Sequence, residues 1–513
     1  MSFNSVKKMA LVSAFALLSG CAVGPDFVKP PAPEGAGYAP TPIKGSEDQR
    51  FADGKDIRFD WWREFGSPEL DHLVEQSLRN NPTIPAAVAA LRQAQEMVYA
   101  EQGAFLPSVS AGYNYERQRI AGNEAGSSAP GAQGDGKNIV PSQPAKAVVF
   151  GMHMAQLQAS YNPDVFGGNR RQVESLDAQA EQQRDLLQAA YVTLIDSVVM
   201  AAIQEASTRD QIAATKALIA ANRKSLDILR AKIKNGAAMS IDLATAELAL
   251  AQTEQQLPPL EKQLEQTRDL VRALAGKMPN EEIETIPSLA SLTLPAELPR
   301  SLPSQIITQR PDVRAAEQQV RSANALVGVA IAARLPQFTI SGTLGGIATE
   351  FTEMFSHGGP FWTAVGDVSV PIFDGNALLH KERAADQALI QANAQYRGTV
   401  IAAYQNVADS LHAVTADADV LHAAERAEAA AKKVYDITHH QNEVGYVDFL
   451  TLYAADVAYR QSQLTLIQAQ ATRYDDTAAL YQALGGGWWN RPDLIADNTQ
   501  GDFVLDWTKV LTP

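Results

Sequence analysis

One thiol is available for chemistry in the 513 residues, that of Cys21, and its neighbours say what the chemistry is. Lys7 and Lys8 precede an apolar run, Met9 to Leu18, which closes on Leu18-Ser19-Gly20-Cys21. That is the order of a secretory signal. A leucine, two small residues and a cysteine form the lipobox that a lipoprotein signal peptidase reads. The expectation is cleavage before Cys21 and acylation of that cysteine, so that the mature chain begins with a lipid. Each buried methylene adds about 0.8 kcal/mol, so two or three acyl chains anchor stably where one does not. Ala22 then leans towards the outer membrane, because an Asp there would favour inner-membrane retention in the better-known bacteria.

With Cys21 acylated no thiol remains, which excludes disulfides, cysteine nucleophiles and thiolate metal sites. The histidines are scattered. His439-His440 are adjacent, point to different sides of a helix and cannot form an i, i+4 metal pair; His153 falls in a strand and reads as a polar, lumen-facing residue. The glycines of Gly342–Gly346 are followed by no close helix pattern and no Lys-Ser/Thr, so they do not read as a phosphate loop. No serine sits in a nucleophile elbow, and no acid/base pair stands out from solvated helix faces. An enzyme, a bound metal or a cofactor other than the covalent lipid is not expected. The net charge of −15 becomes 41 − 58 = −17 once Lys7 and Lys8 leave with the signal. That acidity argues against nucleic acid as a partner.

The positioning elements come in two similar sets. Asn81-Pro82 opens a helical pattern that runs to Leu106-Pro107, and Arg310-Pro311 opens another that runs to Leu335-Pro336, both pairs offset by 229 residues. Gly236 with Ala246-Glu247 matches Gly445 with Ala455-Asp456, and Leu274-Ala275-Gly276 matches Leu484-Gly485-Gly486. Each set reads as short helix, two strands, long helix and return helix. Gln172–Lys234 lacks Pro and Gly, and in Ala377–Gln441 only Gly398 intervenes. At 1.5 Å per residue each helix is roughly 95 Å long and needs lateral partners, as in a coiled coil or a helical barrel. Return helices are expected over Ile241–Gly276, kinked at Pro258-Pro259, and over Val447–Leu484. After the signal no run of about 20 apolar residues offers a transmembrane helix.

Strands are expected at Ser108–Glu116, Val148–Tyr161, Gln337–Leu344 and Phe361–Phe373. In the last, Trp362, Ala364, Val368, Val370 and Ile372 fall on one face, and Thr363, Asp367 and Ser369 on the other. That alternation suits a barrel strand, apolar to lipid and polar to lumen. Four strands cannot close a barrel, and an open edge does not survive in lipid, so membrane-spanning strands of this kind require an oligomer. Three copies supply twelve.

At this point the chain resembles the TolC-like outer-membrane factor family, specifically the NodT-type efflux lipoproteins. The residues that carry the likeness are Cys21–Phe27, Trp61-Trp62 with Phe65–Leu70, Gln309–Glu317, Val370–Gly375 and Leu484–Trp488. The resemblance implies a mainly α protein with membrane β: a homotrimer whose 12-stranded outer-membrane barrel is continuous with a long periplasmic α-helical barrel, girdled by a mixed equatorial belt. It implies the outer-membrane channel of a tripartite efflux pump, passively conducting small molecules, with a periplasmic adaptor and an inner-membrane pump as partners. A type I protein-secretion duct and a lipid-anchored coiled-coil scaffold are the alternatives. The corresponding division is 1–20 signal peptide, 21–80 lipid-anchored segment and belt, 81–276 first repeat, 277–309 linker and belt, 310–487 second repeat, and 488–513 belt tail. The helix tips at Gly236 and Gly445 would be the periplasmic end and the adaptor contact. Family members place acidic residues where Asp448 stands, which implies a gate-ring carboxylate, with Asp242 and Asp456 as further candidates. For Asp448 the competing reading is an N-cap of the return helix; Asp242 and Asp456 compete with plain solvated helix faces.

Overall fold

The computed structural model describes residues 22–30, 37, 38, 43, 45, 48–120, 147–236, 239–283, 286–300, 303–356 and 358–491. Cys21, the segment 1–20 and the tail beyond 491 lie outside the described residues. In chain order the elements are β1 (Arg50–Asp53), α1 (Pro68–Asn80), α2 (Thr83–Gln102), β2 (Ser108–Ile120), β3 (Val148–Tyr161), α3 (Gly168–Lys234), α4 (Ser240–Leu274), β4 (Glu297–Arg300), α5 (Pro303–Gln309), α6 (Pro311–Ala332), β5 (Gln337–Ala348), β6 (Pro360–Ser369), α7 (Ala377–Glu443) and α8 (Phe449–Ala483). The chain divides into two compact units.

One unit holds residues up to Val28, Gln93–Ala180 and Gln319–Ala392. Its centre is a four-stranded sheet in the order β2-β3-β5-β6, antiparallel throughout. Side chains alternate along a strand, so the register sorts them into two faces. One face carries Val109, Tyr113, Leu157, Ile340, Leu344, Trp362 and Val368; the other carries Ser110, Asn114, Gln156, Gln158, Ser341, Thr343 and Thr363. Two expectations are corrected here. The last strand stops at Ser369, because Pro371 follows with no backbone N–H to offer, which leaves Val370, Ile372 and Phe373 outside it. His153 belongs to the apolar face: it stands opposite Tyr115 and bonds the Tyr113 hydroxyl through Nδ1 at 2.7 Å.

Each long helix starts from a carboxylate that accepts backbone N–H bonds, answering the unpaired donors of a helix start. Asp164 accepts from Asn169 N at 3.0 Å and Arg170 N at 2.9 Å, and Asp374 accepts from Leu378 N at 2.8 Å.

The other unit holds Lys29–Arg92, Glu181–Gln318 and the chain from Asn393 on. Its core is α3, where Ile195, Val199, Ala202, Ile203 and Ala206 recur at helical spacing and are buried. An 18-residue window of α3 reaches a mean hydropathy of 1.8, enough by composition for a membrane span, although no apolar run was expected after the signal. With 61% of that window buried inside the protein, its apolar character is that of a core helix. Along the α3–α4 hairpin the pairs Lys216–Glu261, Arg223–Glu254 and Arg230–Glu247 bridge the helices at 2.9, 2.7 and 3.2 Å. Both members of each pair step by seven residues, the heptad interval of an antiparallel coiled coil. Ala246 packs against Leu226 and Leu229 beside this ladder, and Ala424 and Ala469 do the same for α7–α8 with Leu421. The helix α4 runs on through Pro258 and Pro259 as one element.

Around these helices lies a mixed layer. β1 pairs with β4 in parallel. Trp61 stacks on Tyr481 at 4.9 Å between centroids, and the Tyr481 hydroxyl donates to Glu64 at 2.7 Å. Two motifs of the family resemblance, Gln309–Glu317 and Leu484–Trp488, meet here. Arg310 donates to Ala483 O at 2.9 Å, Trp488 Nε1 donates to Gln309 O, and the Arg314 guanidinium lies 4.8 Å from the Trp488 ring.

Candidate functional site

Each long helix ends in a glycine turn, and each return helix starts from a different local device. After α3 the chain reverses at Gly236, with φ of 72°, and α4 begins behind Met239. Methionine has no oxygen to cap with. Asp242 reaches back instead and accepts from Met239 N at 3.1 Å. After α7 the chain reverses at Gly445, with φ of 80°. Asp448 caps α8, accepting from Thr451 N at 2.9 Å and from the Thr451 hydroxyl at 2.5 Å. Those bonds, with Lys232 nearby, hold the Asp448 carboxyl below the ordinary carboxylate range. The N-cap reading of Asp448 is therefore realised in the structure.

The two turns share one cavity of about 340 Å³, lined by Gly236, Met239, Asp242, Asp448, Phe449 and Leu450 among others. Lys232 enters the same place, its ammonium 5.3 Å from the centre of the Phe449 ring. Of the candidates, Gly236, Asp242 and Asp448 are thus brought together. Gly445 and Asp456 do not line this cavity. Asp456 pairs with Arg460 at 3.3 Å, beside the stacked rings of Tyr435 and Tyr459. Around the tip Met239, Ile241 and Tyr446 are exposed. His439 and His440 each approach Glu443, at 3.7 and 3.6 Å. No group of three metal-ligating side chains occurs among the described residues.

A second place was not foreseen. Residues 22–26 lie as a strap against the start of α3 and the second half of α6. Arg171, with its side chain 6% exposed, donates to Val23 O at 3.1 Å and Gly24 O at 3.3 Å, and pairs with Asp26 at 2.8 Å. Asn324 donates to Pro25 O at 2.8 Å, and Val23 N donates to Phe166 O at 3.0 Å. A Cβ on Gly24 would come 2.5 Å from Gly328 Cα, so both positions need glycine for the strap to seat. Nothing local in Asn169-Arg170-Arg171 announces a buried arginine. Gly24 and Gly328, about three hundred residues apart, meet here, and such a meeting leaves no local mark in the sequence.

A chain with a membrane-type sheet, paired helical hairpins and a sealed N-terminal strap has the makings of an outer-membrane channel. Comparison bears this out. A family model for outer membrane efflux proteins matches residues 73–277 and 302–486. The chain is 29% identical to the pyoverdine export outer membrane protein OpmQ of Pseudomonas aeruginosa, covering 94% of this chain and 98% of that one. It is 25% identical to the toluene efflux pump outer membrane protein TtgF of Pseudomonas putida, over 92% of this chain and 95% of that one. Among solved structures, the outer-membrane channel OprN is 26% identical with a TM-score of 0.77, covering 91% of this chain and all of that one. The Campylobacter jejuni CmeC outer membrane channel, 19% identical, shares the fold with a TM-score of 0.81 over 93% and 97% of the two chains. The chain belongs to the outer membrane efflux protein family.

Proposed function

We propose that this chain is the exit duct of a tripartite efflux pump and that it works as a homotrimer. The observation that carries the reading is the sheet β2-β3-β5-β6, with one apolar face, one polar face and two strands, β2 and β6, at its edges. In lipid those edges would leave backbone N–H and C=O groups unpaired. Three copies joined edge to edge give a closed barrel of twelve strands, apolar face to lipid and polar face to lumen. The paired helical hairpins then form the periplasmic barrel, the two similar halves of the chain serve as its repeat, and the mixed layer of the second unit is the belt.

Conduction is passive, and the driving components are an inner-membrane pump and a periplasmic adaptor that meets the tips at Gly236 and Gly445. Relatives named for pyoverdine and toluene support small organic cargo. Asp448 and Asp242, with Asp456 behind them, form the carboxylate ring of the periplasmic gate, Asp448 serving as cap and gate group at once. Cys21 carries the lipid, and the Arg171 strap, beginning one residue later, supports a fixed exit point for that anchor. Mass measurement in detergent should give three chains per particle with a protease-resistant, strand-rich core. A stable monomer of full strand content overturns the shared barrel. Cys21→Ser should abolish labelling by a radioactive fatty acid; equal label in both proteins overturns the anchor.

A further inference from the structure

The polar face of the sheet has a feature that packing does not explain. The four strands carry four formal charges: Glu116, Arg117, Arg119 and Asp367. Alternation places both arginines on the apolar face, near its outer end, and both carboxylates on the polar face. That face is otherwise largely Ser, Thr, Asn and Gln, with Phe150, Met152 and Met154 near Glu116. Neither acid serves the fold. Glu116 faces Met152 across the ladder, with Phe150 and Met154 on the diagonals and Asn114 and Gln118 on its own strand. Asp367 faces Thr339, with Gln337 and Ser341 on the diagonals and Val365 and Ser369 on its own strand. None of these neighbours is charged. Neither carboxylate has an ion pair or a capping role among the described residues, and both are exposed. Asp and Glu are poor strand formers, so placing them in strands without a partner costs stability and gains nothing local.

Their heights differ. Asp367 is level with Thr339, at the end of the sheet near the helices. Glu116 pairs with Met152, which is one residue past the His153–Ala348 pair and so level with Thr349. From 339 to 349 along the strand direction is roughly 33 Å at 3.3 Å per residue.

We propose that Glu116 and Asp367 form two carboxylate rings, one at each end of the strand-lined part of the lumen, which select cationic and neutral solutes over anions. The proposal rests on the trimeric-channel reading above, and it places a charge filter apart from the gate at the helix tips. Three copies repeat each carboxylate around the axis, with no arginine or lysine on the same described face to neutralise it. Between the rings that face is uncharged, mostly Ser, Thr, Asn and Gln, with Met154, Ile347, Phe361 and Val365 among them. A cation meets attraction at both ends and no trap between them, which is what conduction requires.

The test is reversal potential in planar bilayers across a potassium chloride gradient, with the full-length trimer, in the wild-type and Asp448→Ala backgrounds. In both, the double variant Glu116→Gln with Asp367→Asn should lower the cation-over-anion permeability ratio roughly two- to five-fold at 0.1 M salt. The difference should fade towards 1 M, where the screening length falls from about 10 Å to about 3 Å. The pair Glu116→Asp with Asp367→Glu should keep the wild-type ratio, and trimer yield should be unchanged in every variant. A conducting double variant with unaltered selectivity in both backgrounds overturns the proposal and leaves the channel intact. No conductance in either background with Glu116 and Asp367 intact overturns the channel reading itself. If the double variant fails to assemble, the single variants are measured in the same way, and two unaltered ratios overturn the proposal.

Discussion

The middle of α3 and the start of α8 treat the same side chain in opposite ways. Asp196 sits among Ile195, Val198 and Val199 with one carboxylate oxygen buried and unpaired, and burial pushes its carboxyl up to about 6. Asp448 stands at an exposed turn, accepts two bonds from Thr451, and is held below the ordinary carboxylate range. One environment removes water without replacing its hydrogen bonds; the other supplies donors while leaving water in reach. Asp196 is thus a latent strain in the core, and Asp448 a fastening at the tip. Asp475, on α8, belongs with Asp196: burial and the neighbouring Asp476 and Asp196 push it up to about 7.

The largest effect expected from this contrast is on the core. A carboxyl whose pKa is raised by folding contributes stability that is fully present below about pH 4 and is lost as pH rises through its folded pKa. For Asp196 the window runs from about 4 to about 6. A shift of that size is worth up to roughly 3 kcal/mol. Asp196→Asn, neutral at every pH, should therefore match the wild type near pH 4 and be more stable at pH 8. Thermal unfolding in detergent at the two pH values checks it. An Asn variant that melts lower than the wild type at pH 8 would show that the carboxylate has a partner in the assembled protein.

Next in size is the fastening. Asp448→Ala removes the cap of α8, which typically costs about 1 kcal/mol. Hydrogen exchange of the amides of Phe449 to Thr451 should speed several-fold, with those of Leu464 to Ala469 unchanged. Asp448→Asn, which keeps an acceptor, should lie between. The pH dependence has the opposite sign to that of the core: protection is present above about pH 4 and is lost as pH falls through the lowered folded pKa. In bilayers Asp448→Ala should also raise conductance or weaken cation preference, if the cap is also the gate.

Much of this was legible in the residues. Pro and Gly punctuate the long helices so sparsely that their extents follow directly; α3 and α7 begin and end within a few residues of expectation. All four strands were expected, but alternation does not say where pairing stops, so β2 and β5 run further than expected and β6 ends sooner. The polar chemistry of His153 suggests the lumen, whereas its parity with Leu157 and Tyr161 puts it on the apolar face. For the tips, Gly236 and Gly445 marked the turns because only glycine accepts their positive φ without strain. The cavity that joins Asp242 to Asp448 was hidden, since it depends on how two hairpins lie side by side. The Arg171 strap was hidden for the same reason. Pairing over such distances in sequence leaves no periodic trace.

The smallest and most discriminating prediction turns the first tip into the second. Met239 has extended backbone, φ −98° and ψ 155°, as an N-cap residue should, but its side chain has no acceptor. Asp448, at the matching place, has φ −76° and ψ 168°. Met239→Asp should therefore create the missing cap of α4 and stabilise that turn by about 0.5–1 kcal/mol. Lys232 and Lys234 at the end of α3 would meet the new charge favourably, while Asp242 would oppose it. Hydrogen exchange at Ile241 and Asp242 reads the outcome. Slower exchange means that the two tips differ only in which residue carries the acceptor. Unchanged exchange means that the Asp242 bond to Met239 N already holds the first turn as well as a cap would. Asp242→Ala, which removes the acceptor, separates the two when made in the Met239→Asp background. If the new cap is made, the second change should cost no more than a few tenths of a kcal/mol; if it is not, the turn should loosen by as much as it does in the wild type.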